Sequence, residues 1–130
     1  MIGIVIVAHG GLAREYLAAV EHVVGSQGGI EAISIEVSDD RSAKQTEICD
    51  AADAVDTGDG VVIVTDMFGG SPSNLSLRAC SPTNRKILYG ANLPMLVKLA
   101  KSRQRTVEDA VSLARDAGRK YIDSFDADAV

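Results

Sequence analysis

The chain has 130 residues, 46% hydrophobic and 24% charged, with no tryptophan and a net charge of −5. That length can bury one core without staples, and small aliphatic side chains must fill it. Acidic and basic residues are mixed and no basic patch stands out, which argues against a partner held through a nucleic-acid backbone.

The opening run, Ile2 to Ala8, is nearly continuous and β-branched, the pattern of a strand buried on both faces of a parallel sheet. It lacks a basic leader and is too short for a signal peptide or a membrane span, so a cytoplasmic protein is expected. Helical periodicity follows over Leu12 to Val24. Ile33 to Val37 alternates apolar and polar residues, which suits a strand nearer an edge. A second helix is expected over Ser42 to Val55, and Gly60 to Thr65 repeats the doubly apolar strand pattern. Next come a helix over Ser73 to Cys80, a short strand over Lys86 to Tyr89 and a helix over Thr106 to Ala117. Thr106 and Asp109 at its start form a capping box of the weaker, aspartate kind. Lys120 to Asp123 has strand character but no place inside a monomer, and residues 126–130 read as an acidic tail after a domain over 1–125. Cys49 and Cys80 lie far apart and read as packing residues rather than a disulfide or a metal pair.

Strands alternating with helices predict a single α/β doubly wound domain with right-handed crossovers and helices on both faces. Two doubly apolar strands flanked by two less buried ones give the order 2-1-3-4 for a mainly parallel sheet.

Ligands of such sheets bind beyond the carboxyl ends of the strands. His9 stands at the end of the first strand and Asp66 at the end of the third, neighbours in this order. A carboxylate accepting from one ring nitrogen fixes the tautomer and leaves the other nitrogen as a nucleophile. After Asp66 the chain reads "MFGGSPSN". Ser71 and Pro72 suit the N-cap and first position of a helix, whose N-terminus attracts an anion. Gly69 and Gly70, like Gly10 and Gly11 beside the histidine, let backbone approach a ligand closely. A strand-end histidine is ordinarily structural, and Ser71 alone is most often a cap. Together these residues fit a histidine that accepts a phosphoryl group. His9 is then the acceptor and Asp66 its orienter, with Ser71 and the backbone near Gly70 on the phosphoryl oxygens.

His22 reads as a surface or half-buried residue, and Arg14 as a solvated charge or a group facing the site. Gly90 to Pro94 is either a turn closing the fourth strand or part of the site's rim. Neither G-x-x-x-x-G-K-[ST] nor G-x-G-x-x-G occurs, so no nucleotide is expected. One tip histidine is a poor zinc shell, and "GGSPS" lacks the final glycine of a hydrolase elbow.

"IVIVAHG", "VIVTDMFGGSPSN" and "GANLPML", in this order, resemble the IIA component of the mannose-type sugar phosphotransferase system, and the likeness covers almost the whole chain. The resemblance implies a phosphocarrier that accepts a phosphoryl group from the phosphohistidine protein HPr and passes it to a IIB partner. It implies phosphate on Nε2 of His9, Asp66 on Nδ1 and Ser71 against the phosphoryl group, with no metal or other cofactor. It also implies a homodimer in which a C-terminal antiparallel strand, here Lys120 to Asp123, crosses to the partner's sheet and covers an edge. Contact with a membrane is then indirect, through a permease complex.

Two features depart from that family. The chain shows one domain, so a IIB partner is expected to be a separate protein, and Gly11 stands where relatives carry a large aromatic. A regulatory role, read out by a protein that senses the phosphorylation state, fits the sequence as well as transport does. Other readings are the related domain of the dihydroxyacetone kinase phosphotransfer subunit, a binding module without chemistry, and a small metal chelatase.

Overall fold

The computed structural model describes residues 1–67 and 84–129. The helix expected over Ser73 to Cys80 lies outside them, as do Gly69, Gly70, Ser71 and Cys80. Strands β1 (Gly3–His9), β2 (Ile30–Ile35), β3 (Val61–Thr65) and β4 (Arg85–Tyr89) form one sheet in the order β2-β1-β3-β4. All three pairings are parallel, with Ile6 opposite Ala32 and Val64, and Ile63 opposite Ile87. The helices are α1 (Leu12–Val24), α2 (Arg41–Val55), α3 (Leu93–Lys101) and α4 (Val107–Lys120), and a 3-10 turn spans Ala127–Ala129.

The doubly apolar strands separate two cores, because successive side chains on a strand point to opposite faces. On one face Ile4, Ile6, Val62 and Val64 join Val20 of α1, Leu96 and Leu99 of α3 and Val107 and Ala114 of α4. On the other, Val5, Val7, Val61 and Ile63 join Ile33 and Ile35 of β2 and Ile48, Ala52 and Val55 of α2. Each fully buried valine or isoleucine here contributes about 1.5–3 kcal/mol relative to an exposed one. A Cβ on Gly3 would collide with the Val55 carbonyl, so the end of α2 lies directly on β1.

Three elements differ from expectation. β2 begins and ends earlier than Ile33 to Val37: the Asp39 carboxylate accepts from Glu36 N at 2.7 Å and turns the chain, leaving Val37 fully exposed. The Gly90 to Pro94 segment leads straight into α3, which the sequence reading did not include. Asn92 is its N-cap, accepting from Met95 N at 3.0 Å, with Pro94 in the first turn. Asn92 also donates to the Gly118 carbonyl at 3.0 Å, tying α3 to α4. Gly118 lets the two helices touch there, since a Cβ would lie 3.1 Å from Met95 Cβ. The helix runs on past Ala117 through this contact to Lys120. Within the chain, Lys120 to Asp123 therefore forms no strand: Tyr121 caps α4 and residues 122–126 have no regular structure. Thr106 does cap α4, accepting from Asp109 N at 3.1 Å.

Arg103 follows α3 and is 4% exposed. Its guanidinium donates to the carbonyls of Ile2 at 2.8 Å, Gly28 at 2.7 Å and Gly29 at 3.0 Å, and more weakly to Gln27 Oε1 at 3.3 Å. Its own carbonyl accepts from Ile2 N at 2.9 Å. One side chain thus holds together the starts of β1 and β2.

Arg85 at the start of β4 donates to Asp53 at 2.8 Å and Asp56 at 3.0 Å. Asp56 also accepts from Gly58 N at 2.9 Å. The Gly58 N–H first, then Arg85, hold the Asp56 carboxyl below the usual aspartate value in spite of its burial. A carboxyl depressed in the folded state adds stability that is fully present above its unfolded pKa. That stability is lost as pH falls through the folded value. Denaturant melts should therefore show stability falling below about pH 4, with a shallower fall in Asp56→Asn. The variant should also lose about 1–2 kcal/mol at neutral pH. Parallel pH profiles for parent and variant would refute this.

Candidate functional site

The site begins where pairing between β1 and β3 stops. Val7 opposite Thr65 is the last partnered position, so the His9 N–H extends beyond the end of β3. Asp66, the next residue of that neighbour, accepts the N–H at 3.1 Å through Oδ2. The same oxygen lies 2.8 Å from His9 Nδ1, while Oδ1 accepts from Met67 N at 3.0 Å. A single carboxylate therefore fixes both the backbone and the ring of His9.

A carboxylate offers only acceptors, so Nδ1 carries the proton and Nε2 keeps its lone pair. The His9 side chain is 47% exposed and that of Asp66 only 11%, so the carboxylate is sheltered and the ring is open. Burial raises the Asp66 pKa. The hydrogen bonds from the His9 ring and N–H outweigh that, and the net shift is downward.

Gly10 takes φ +54, a left-handed turn that side chains avoid, and its N–H still pairs with the Ile35 carbonyl at 3.0 Å. Its carbonyl accepts from the Ser34 hydroxyl, which also bonds Glu36 Oε1 at 2.9 Å. Gly11 is the N-cap of α1 at an ordinary φ of −83, and a Cβ there would meet nothing within 4 Å. Its lack of a side chain opens the surface beside His9 and is not forced by packing.

Beside His9 lies a cavity of about 480 Å³ lined by Gly10, Ile35, Glu36, Val37, Asp39 and Arg41. Ala91 N donates to the Thr65 carbonyl at 3.1 Å, so the turn before α3 lies beside the strand that carries Asp66. Tyr16 of α1 donates to the Ala91 carbonyl at 3.2 Å. Burial, then the charge of Asp66, raises the Tyr16 pKa, which places this hydroxyl within the field of the pair. Neither Tyr16 nor the Glu36–Arg41 wall was singled out from sequence. Arg14 and His22 are both exposed, His22 in the last turn of α1 at the end away from His9.

The family model described as EIIA-man, PTS system fructose IIA component, matches residues 3–114. The chain belongs to this family. The mannose-specific EIIAB component of the phosphotransferase system (PTS) of Escherichia coli K12 is 28% identical over 132 residues. That match takes in 99% of this chain and 41% of the relative, so the chain spans about two fifths of that protein's length. The crystal structure of the phosphotransferase component EIIA from Streptococcus agalactiae superposes with a TM-score of 0.86 at 26% identity, over 96% of this chain and 98% of that one. The PTS IIA protein associated with the fucose utilization operon of Streptococcus pneumoniae gives 0.80 at 25% identity, over 98% and 93%. Among the described residues of this EIIA-man chain, no helix is long and apolar enough to cross a membrane.

Proposed function

We propose that the chain is a phosphocarrier of a sugar phosphotransferase system, with His9 as the acceptor. The observation that supports this best is the 2.8 Å contact between Asp66 and Nδ1 of a half-exposed histidine at the tips of neighbouring strands. The Nε2 lone pair attacks the phosphorus of a donor phosphohistidine, and the donor N–P bond breaks with its electron pair returning to the donor ring. His9 becomes an imidazolium whose Nδ1–H stays on the Asp66 carboxylate, and the steps reverse toward the acceptor. The donor is already a high-energy phosphohistidine, so positioning and charge stabilisation carry the catalysis. In this reading Ser71 and the N–H groups of Gly69 and Gly70 hold the phosphoryl oxygens, with no metal or other cofactor, while the Gly10 N–H stays on the Ile35 carbonyl and lends only its lack of a side chain.

HPr is the donor, a IIB component the acceptor and the cytoplasm the setting, with a regulatory protein as a further partner. Intact mass after incubation with phosphoenolpyruvate, enzyme I and HPr tests the reading. An HPr-dependent adduct that acid removes supports it; no adduct with HPr from the same organism refutes it.

The reading includes a homodimer. Tyr121, Ile122 and Phe125 are 68%, 73% and 78% exposed at the C-terminal end, a costly display for a monomer. Crossing of Lys120 to Asp123 to a second copy's sheet edge would cover them. Sedimentation at micromolar concentration should give a dimer that Ile122→Asp dissociates; a parent monomer would eliminate the exchange.

A further inference from the structure

We propose that Arg41 binds the phosphoryl group carried on His9, a cationic contact supplied from the start of α2. The inference rests on the carrier reading above and names one more residue of the same site. Arg41 and His9 line the same cavity, between the β1 tip and the turn after β2. Its volume of about 480 Å³ leaves room for a phosphoryl group beside the ring.

The charges around this cavity are unequally engaged. Asp39 accepts from Glu36 N at 2.7 Å and pairs with Lys44 at 3.6 Å. Lys44 is itself held by Glu47 at 2.7 Å, so it stays on its own helix face. Glu36 Oε1 lies 2.9 Å from the Ser34 hydroxyl, whose one proton it shares with the Gly10 carbonyl. The Arg41 side chain, with Glu36, Asp39 and Asp40 close in sequence, makes no hydrogen bond or ion pair with any described residue.

A guanidinium left without a carboxylate on the wall of an acceptor histidine's cavity matches a dianionic phosphoryl group in charge and in fork geometry. The wall is held in place beforehand: Ser34 joins the Gly10 carbonyl to Glu36, and Asp39 fixes the turn. Phosphorylation therefore brings the anion to a cation that needs only to swing its own side chain.

The test is the equilibrium constant for transfer from phosphorylated HPr, read by intact mass for the parent, Arg41→Gln and Arg41→Lys, with thermal midpoints alongside. Arg41→Gln should lower that constant about tenfold, the effect of one charged hydrogen bond. Arg41→Lys should recover part of it, because it keeps the charge and loses the fork. Midpoints should move little, since Arg41 is exposed and its side chain has no ion pair with a described residue to lose. An unchanged constant in Arg41→Gln overturns the inference while leaving the carrier reading intact. So does a slower approach to the same constant, which would place Arg41 in donor docking. A parent that takes up no phosphoryl group removes the carrier reading and this inference with it.

Discussion

The His9→Ala variant is expected to take up no phosphoryl group from phosphorylated HPr and to keep the parent's melting profile. The ring is half exposed, so its loss removes the nucleophile and its contact with Asp66 and little else. Alanine also retains the N–H that bonds Asp66 at 3.1 Å, so the register at the strand tips survives. The partner experiment is Asp66→Ala, which removes orientation and charge compensation but leaves Nε2. Transfer should slow about 10²–10³-fold without stopping, the usual magnitude for losing one electrostatic contact in a transfer site. An acid-labile adduct on His9→Ala would end the assignment of His9. A parent-like rate in Asp66→Ala would reduce Asp66 to a structural cap.

Arg103→Met is expected to be the most destabilising single change far from the site, by about 3 kcal/mol or more in urea unfolding. The side chain is 4% exposed, and methionine fills much of its volume. What methionine cannot do is donate, so the carbonyls of Ile2, Gly28 and Gly29 each lose a bond, that of Ile2 in the buried interior. Among the described residues no carboxylate pairs with this guanidinium, and burial lowers its pKa from the ordinary arginine value. The carbonyl dipoles instead hold the charge. Arg103→Lys should recover only a minor share, because one ammonium cannot span three carbonyls. A loss under 1 kcal/mol for Arg103→Met would show that the clamp is dispensable.

What sequence pattern could reveal followed from how local the cause was. β1, β3 and the strand order were legible because burial on both faces leaves continuous apolar runs. Thr106 was legible because a cap and its partner lie three residues apart. The end of β2 was misjudged, since Asp39, which turns the chain after Ile35, lies outside the alternating pattern. α3 was missed because it has only nine residues, although Asn92 and Pro94 were its start signal. Arg103 had no local signature, since its carbonyl partners are 74 to 101 residues away in sequence. The pairing of His9 with Asp66 was legible because strand order alone brings their positions together. The cavity wall at Arg41 was not, because a turn in the chain sets it.

The parallel sheet also divides labour between its two ends. All four strands start near the clamp side, where Arg103 joins Ile2 to Gly29 and Gly3 N bonds the Gly60 carbonyl at 3.0 Å. All four finish on the side of His9, Asp66 and the exposed Val37 and Met67. In the carrier reading, substitutions that retune which protein docks at the finishing end thus fall on residues that carry little of the folding free energy. A lineage can change partners there by drift and selection while the starting end keeps the scaffold above its stability threshold.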